Sequence, residues 1–146
     1  MSTSGLIARS PARSSRRAIH SGVFARGFSG TAVYRHDFTL PEDDLRHGAA
    51  ATLELGAVRD IARVLLNGID CGIVWTAPFD VDVSAALRAG TNHLEVHVAT
   101  PWRNRLIAEA AHASGEIFAP MVEVFEATAV PLPGGLQGSC ALRLGG

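Results

Sequence analysis

The sequence lacks a long hydrophobic run and lacks a surplus of positive charge. Its 146 residues include 13 basic and 14 acidic side chains, which give a net charge of −1 at pH 7. A membrane-spanning helix needs about 20 consecutive apolar residues, and duplex nucleic acid is bound by a concentrated cationic face that neutralises phosphates. We therefore expect no transmembrane segment, no membrane partner and no nucleic-acid partner.

Motifs for nucleotide binding and for covalent catalysis are missing as well. The chain contains no Gly-x-Gly-x-x-Gly and no Walker loop, and neither Ser114 nor Ser139 lies in a Gly-x-Ser-x-Gly turn. A phosphate cradle or an activated serine needs those backbone geometries, so we expect no cofactor and no serine nucleophile. The two cysteines, Cys71 and Cys140, either form one disulfide or stay as two buried thiols.

Apolar residues make up 47% of the chain, which is enough to build the core of one domain of this length. The first 28 residues differ from the rest, because they are rich in serine and hold five of the 13 arginines and no acid. They show no apolar periodicity, so we expect residues 1–28 to be a disordered Arg/Ser-rich tail and residues 29–146 to be one folded domain. A transit peptide is the alternative for the tail. No secretory signal is evident, and a cytoplasmic location is the default expectation.

Alternation of apolar and polar residues dominates the chain from residue 31 onward. This period of two predicts short strands, which we place at residues 31–40, 51–55, 58–66, 71–76, 79–83, 93–98, 122–127 and 140–144. Asn67-Gly68 is typical of a two-residue hairpin turn. Residues 103–112 predict one short helix and residues 131–138 a loop. Many short strands with regular turn signals predict an all-β fold, an antiparallel β-sandwich.

An ordered set of motifs resembles a known family. The first group, GTAVYR (30–35), LELGAVRDIARV (53–64) and GIVWTAPF (72–79), resembles the galactose-binding-like jelly-roll domain of glycoside hydrolases such as family 2. The second group, GTNHLEV (90–96), PWRNRLI (101–107) and GGLQG (134–138), is more specifically similar to the C-terminal end of the family 106 α-L-rhamnosidases. The resemblance spans about residues 28–146. It implies a jelly roll of the galactose-binding type.

The resemblance implies an ancillary domain without catalysis of its own. Rhamnosidases of this family place their catalytic carboxylates in a separate barrel of roughly 200 or more residues, which this chain cannot also contain. We expect an ancillary, carbohydrate-binding sandwich whose partners are a rhamnose- or galactose-containing oligosaccharide and a glycosidase catalytic domain. The alternative is a structural sandwich that supports a catalytic partner and binds no glycan, because a fold alone does not confer a ligand.

Two polar clusters could be mistaken for reactive sites. Asp80 and Asp82 lie two residues apart on one strand face, where a carboxylate pair for glycoside hydrolysis would need a separation of about 5–10 Å. His93, Glu95 and His97 share a strand face in the same way, as metal ligands could, but the pattern specifies no fourth ligand. We interpret both clusters as solvated strand faces, and we predict no catalytic residue and no metal site.

Carbohydrate binding needs an aromatic platform beside planar hydrogen-bonding groups. Trp75 and Trp102 are the only tryptophans, and Trp102 is followed directly by Arg103, Asn104 and Arg105. These five residues are the predicted carbohydrate-binding site. The alternative is that both tryptophans lie in the core, since tryptophan is highly buried on average, while the arginines tie loops to backbone carbonyls or to Asp60.

Overall fold

The computed structural model describes residues 19–20, 28–45, 50–112, 114–115 and 128–145. These residues form ten strands, one α-helix and a short 3-10 helix at Glu42–Leu45. The elements in chain order are β1 (Ile19–His20), β2 (Gly30–Leu40), β3 (Ala51–Glu54), β4 (Ala57–Arg59), β5 (Ile61–Leu66), β6 (Ile69–Val74), β7 (Asp80–Asp82), β8 (Gly90–Thr100), α1 (Arg103–Ala111), β9 (Gly135–Gln137) and β10 (Ser139–Leu144).

The strands form two four-stranded sheets and one small two-stranded sheet. The strand orders are β1-β10-β3-β7, β2-β8-β5-β6 and β4-β9, and every pair of neighbours is antiparallel. We call the first sheet A and the second sheet B. This architecture confirms the predicted all-β, galactose-binding-like β-sandwich with one short helix. No helix among the described residues is long and apolar enough to cross a membrane.

The core lies between the two large sheets and follows the alternation in the sequence. On β5, Ala62, Val64 and Leu66 point inward and are buried, whereas Arg63 points outward. The same alternation places Val96 and Val98 of β8 in the core. Because successive side chains of a strand point to opposite faces, each strand contributes every second residue to the interior.

One predicted strand proved to be two. Residues 58–66 were expected to form a single strand, but Asp60 has a positive φ of 87° and the chain turns there. Val58 on β4 pairs with Leu136 on β9, whereas Ile61 on β5 pairs with Ala99 on β8. The predicted loop at 131–138 is present at residues 131–134, but the prediction is wrong at residues 135–137, where β9 pairs with β4.

The predicted tail does not stay wholly apart from the sandwich. Within it, Ile19 pairs with Cys140 and His20 pairs with Ser139, which makes β1 an edge strand of sheet A. The expectation is therefore wrong at this strand, since two residues are too few to show a period in the sequence. Most of the tail, and the strand predicted at 122–127, lie outside the described residues.

Two asparagines fasten the predicted hairpin turn to the rest of the domain. Asn67 begins the turn with a positive φ of 54°, and its Nδ2 donates to the Oδ1 of Asn92 at 2.8 Å. Asn92 is completely buried, and its own Nδ2 donates to the carbonyls of Arg88 at 2.7 Å and Gly90 at 3.1 Å. The backbone N–H of His93 in turn donates to Oδ1 of Asn67 at 2.9 Å. The β5–β6 turn is thus fixed to the start of β8.

Candidate functional site

Both tryptophans emerge from the same end of sheet B. β5 is antiparallel to β6 and to β8, so β6 and β8 run in the same direction and end at the same edge. Trp75 follows the last residue of β6, and Trp102 lies two residues past the end of β8. The two strands are separated by β5, which places them about 10 Å apart.

Neither tryptophan belongs to the core. The relative exposure is 71% for Trp75 and 62% for Trp102, so the alternative that they fill the interior is wrong. The reason is position along the strands: the sandwich is filled by the leucine and valine side chains of the strands themselves, and both tryptophans lie beyond the last paired residue of their strand. The sequence pattern could not show at which residue the pairing of each strand ends.

Trp102 stands at the beginning of α1 and is followed by exposed Arg103. Asn104 fixes this start of the helix, because its Nδ2 donates to the carbonyl of Leu132 at 2.7 Å and its Oδ1 accepts the N–H of Leu132 at 2.9 Å. The Asn104 amide thereby pairs with the backbone of the segment that leads into β9. Among the five predicted residues, Asn104 serves to position the helix start.

Arg105 faces the other end of α1. Its Nη2 lies 3.9 Å from Oε2 of Glu109 and donates to Oγ of Ser114 at 3.5 Å. Glu109 is buried and accepts the Ser114 N–H and hydroxyl, both at 2.7 Å, and the Gly115 N–H at 3.0 Å. The Ser114 hydroxyl and these N–H groups hold the pKa of Glu109 below its usual range. Sequence reasoning missed Glu109, because no local sequence signal distinguishes a buried glutamate of a helix from an exposed one.

The carboxylates of Asp80 and Asp82 are engaged in structural contacts on the outer face of sheet A. Oδ1 of Asp82 accepts the Ser84 hydroxyl at 2.6 Å and its N–H at 2.9 Å, which lowers the pKa of Asp82. Nη2 of Arg143 lies 3.9 Å from Oδ2 of Asp80, and Nε of Arg143 lies 3.0 Å from Oε1 of Glu54. A glycosidase needs one carboxyl group with a raised pKa as general acid. The lowered pKa of Asp82 therefore argues against Asp82 as the general acid.

The histidines of β8 pair with carboxylates on the outer face of sheet B. Nδ1 of His93 lies 2.8 Å from Oδ1 of Asp37, and Nε2 of His97 lies 2.8 Å from Oε2 of Glu95. Nε of Arg35 donates to Glu95 at 3.0 Å. The contacts with His97 and then Arg35 lower the pKa of Glu95. Within the described ranges, no three His, Cys, Asp or Glu side chains are grouped to hold a metal ion.

Both cysteines are free thiols. Cys71 lies on β6 of sheet B and Cys140 on β10 of sheet A. Cys140 is fully buried, and burial raises the pKa of its thiol to about 12. Of the two alternatives drawn from the sequence, the structure contains two thiols and no disulfide, but only Cys140 is buried, whereas Cys71 is half-buried. A buried neutral thiol acts as a small apolar side chain.

The fold is an antiparallel β-sandwich of the galactose-binding-like type. The chain belongs to the family described as glycosyl hydrolase 2 galactose-binding domain-like, whose model matches residues 28–129. This membership confirms the resemblance to the galactose-binding-like domain of family 2 glycoside hydrolases.

The chain is also similar to individual glycosidases. Two proteins of Formosa agariphila that carry the name beta-glucuronidase are 44% and 37% identical over 82 and 67 residues, or 56% and 44% of this chain. The solved rhamnosidase from Novosphingobium sp. PP1Y matches 80% of this chain at 37% identity, with a TM-score of 0.72. The solved beta-glucuronidase of Bifidobacterium dentium matches 82% at 27% identity, with a TM-score of 0.56.

The relatives are much longer than this chain. The matched region spans 7% of each Formosa agariphila protein. It spans 11% of the Novosphingobium rhamnosidase and 22% of the Bifidobacterium dentium enzyme. In these proteins the domain is thus a small part of a large polypeptide.

Proposed function

We propose that this chain is a non-catalytic, carbohydrate-binding domain of an α-L-rhamnosidase-like glycoside hydrolase, and that Trp102 and Arg103 make the contact with the glycan. The observation that carries the proposal is the exposure of Trp102 at the start of α1, beside an exposed arginine. Tryptophan and arginine are enriched among the residues that carry the energy of contact surfaces. The Trp102-Arg103 pair is called the glycan platform below.

The rhamnosidase assignment is supported by structural similarity. The Novosphingobium rhamnosidase has a TM-score of 0.72, against 0.56 for the Bifidobacterium dentium beta-glucuronidase. Sequence identity by itself does not separate the two activities, because one Formosa agariphila beta-glucuronidase is 44% identical over 82 residues. The motifs GTNHLEV and PWRNRLI, which resemble family 106, lie on β8 and at the start of α1. They therefore include the glycan platform itself.

The chemistry of the glycan platform suits a pyranose ring. The apolar face of a sugar stacks on an indole, and a guanidinium next to it donates hydrogen bonds to ring hydroxyls. The pairing of Asn104 with the Leu132 backbone holds the helix start in place, so that less ordering entropy is lost when a ligand binds. A shallow platform of this kind binds weakly, with a dissociation constant of about 0.1–10 mM.

The test is a titration of the isotope-labelled chain with rhamnose-containing oligosaccharides, in which binding is monitored through changes in NMR chemical shifts. Trp102→Ala should abolish binding while leaving the melting temperature nearly unchanged, because an exposed side chain contributes little to stability. Trp75→Ala is the matched control, since it removes an equally exposed indole from the same end of the sheet and should retain binding.

A folded wild-type chain with no shift changes at tens of millimolar rhamnoside or galactoside would contradict the carbohydrate-binding role. Equal loss of binding in both tryptophan variants would contradict the assignment to Trp102 alone and would extend the platform to Trp75.

A second function, support of a catalytic domain without glycan binding, is favoured by a different observation. Four exposed apolar side chains, Val33, Ile61, Ile69 and Ile73, lie on strands of sheet B, and Trp75 directly follows β6. They do not belong to the glycan platform, and a domain that packs against a larger partner would need such a surface.

A further inference from the structure

An exposed leucine is held at the start of α1, where the glycan platform lies. Leu132 has a relative exposure of 56%, close to the 62% of Trp102. Its backbone is tied to the first turn of the helix, because its carbonyl accepts a hydrogen bond from Nδ2 of Asn104 at 2.7 Å and its N–H donates to Oδ1 of Asn104 at 2.9 Å. A branched apolar side chain therefore shares this part of the surface with the platform.

The segment that carries this leucine is also held at the end of β8. The backbone at Gly134 passes so close to β8 that a Cβ atom at this glycine would lie 3.5 Å from Cγ2 of Thr100. The Gly134 carbonyl in turn accepts a hydrogen bond from Nε2 of Gln137 at 2.7 Å. Thr100 is the last residue of β8 and lies two residues before Trp102. The segment is thus fixed both before and after Trp102 in the chain, at Thr100 and at Asn104.

Helix geometry sets the order of the side chains around the start of α1. Trp102 already has helical dihedral angles, with φ −69° and ψ −10°, and an α-helix turns by about 100° per residue. Arg103 therefore lies between Trp102 and Asn104 around the helix axis. Leu132 is bound to Asn104, so it lies on the side of Arg103 away from Trp102. The guanidinium is flanked by an indole on one side and by an aliphatic side chain on the other.

Two prolines restrict the backbone of the leucine. Pro131 and Pro133 stand directly before and after Leu132. A proline fixes its own φ at about −65° and keeps the residue before it in an extended conformation. Less backbone entropy is then lost when a ligand contacts Leu132. The position of this side chain is set before any ligand binds.

We propose that Leu132 contacts the C6 methyl group of a 6-deoxyhexose on the glycan platform and so selects rhamnose over hexoses with a hydroxyl at C6. The inference rests on the proposed function and names the class of sugar that the platform takes. Rhamnose is 6-deoxymannose, so the two sugars differ only by this hydroxyl. A methyl group gains from contact with an apolar side chain, whereas a hydroxyl placed there gives up hydrogen bonds to water.

The three side chains contact different parts of the sugar. The indole of Trp102 stacks on the ring, the guanidinium of Arg103 donates to ring hydroxyls, and Leu132 covers the methyl group. The first two contacts decide whether a hexoside binds at all, and the third decides the preference between two hexosides. Affinity and preference can consequently be lost separately.

The experiment compares two sugars that differ at C6 alone. The isotope-labelled 146-residue chain is titrated with methyl α-L-rhamnopyranoside and with methyl α-L-mannopyranoside, and NMR chemical shifts give the dissociation constants. The forms compared are wild type, Leu132→Ser, Leu132→Met and Ile69→Thr. Ile69 is the matched control, because it is an aliphatic side chain with 50% exposure at the start of β6, whereas Trp75 and Trp102 lie past the other end of sheet B. Circular dichroism checks that each form is folded.

Wild type and Ile69→Thr should bind the rhamnoside about fourfold or more tightly than the mannoside, which corresponds to the burial of one methyl group. Leu132→Met should keep this preference, because its side chain is also apolar. Leu132→Ser should bind the rhamnoside as weakly as the mannoside, with little change in its affinity for the mannoside. The hydrogen bonds to Asn104 use only the backbone of Leu132, so these variants leave the helix start in place.

Four results would overturn the inference. They are equal affinity of the wild type for the two sugars, a preference that persists in Leu132→Ser, equal weakening of both sugars by Leu132→Ser, and a wild-type dimer in sedimentation that Leu132→Ser dissociates. In the last case a second copy of the chain would cover the leucine. Equal binding of the two sugars would leave the carbohydrate-binding role intact, whereas a folded wild type that binds no glycoside would remove both.

Discussion

At the scale of the residue, buried polar contacts hold together parts of the chain that the strands alone do not join. Asn92 is the clearest case, because it occupies an inward position of β8 where the alternation calls for an apolar side chain. Its side-chain amide forms hydrogen bonds with Asn67, Arg88 and Gly90 at the same time. A valine or leucine there would fill space but would leave several buried polar groups without partners.

Replacing this asparagine should therefore destabilise the domain strongly. We expect Asn92→Ala to lower the free energy of unfolding by about 2–4 kcal/mol, since each unsatisfied buried polar group costs about 1–3 kcal/mol. The measurement is equilibrium denaturation in urea. The control, Thr91→Ala, changes an exposed neighbour on the same strand and should stay within about 0.5 kcal/mol of wild type. Similar stabilities for the two variants would show that the network contributes little.

At the scale of the element, α1 is held by polar contacts at both of its ends. Asn104 pairs with the Leu132 backbone near the first turn, and Glu109 accepts three hydrogen bonds from Ser114 and Gly115 near the last turn. Leu106 and Ile107 supply the buried apolar side. The helix that presents the glycan platform is thus anchored by side chains to the segments around it.

The hydrogen bonds of Glu109 should make the stability of the domain depend on pH. Its pKa is lower in the folded chain than the ordinary value of 4.5, so its contribution to stability is fully present above that value and is lost as pH falls through the folded pKa. We expect Glu109→Gln to melt at a lower temperature than wild type at pH 7, and the difference to shrink below pH about 4. Thermal unfolding followed by circular dichroism over this pH range measures it.

The control for this prediction is Glu42→Gln, which changes an exposed carboxylate of the 3-10 helix. It should melt close to wild type at every pH. A Glu109→Gln difference that stays constant from pH 7 to pH 3 would mean that the carboxylate charge does not stabilise the helix end.

At the scale of the whole molecule, the chain is a sandwich with one end that carries both tryptophans. Its matched relatives are several times longer, and we propose that hydrolysis belongs to their other parts. The carboxylates of Asp80 and Asp82 have structural partners in Arg143 and Ser84, and the lowered pKa of Asp82 does not suit the general acid of a catalytic pair.

The purified chain should accordingly hydrolyse no glycoside. The measurement is release of the chromophore from an aryl α-L-rhamnoside, with the intact Novosphingobium rhamnosidase as positive control. A glycosidase needs two carboxyl groups across the sugar, one of them with a raised pKa. Turnover that survives repurification and disappears on Asp80→Asn or Asp82→Asn would reject this prediction.

The parts of the fold that follow from short-range pattern were predictable. The inward faces of β2, β5 and β8, the Asn67-Gly68 turn and the extent of α1 all depend on residues within a few positions of one another, as does the all-β class. The break at Asp60 and the pairing of β4 with β9 were not predictable, since each depends on residues far apart in the chain.

Some features of the candidate site were likewise predictable from the sequence, and others were not. The sequence by itself determined which side chains are available for carbohydrate, because Trp102 and Arg103 are the right chemical groups and lie next to each other. Only the tertiary structure decided that Trp102 is exposed, that Asn104 and Arg105 make internal contacts, and that Leu132 lies beside the start of α1. Exposure depends on where a strand leaves its partners, and that point is set by pairing between distant segments, whereas alternation along one strand is set by local sequence.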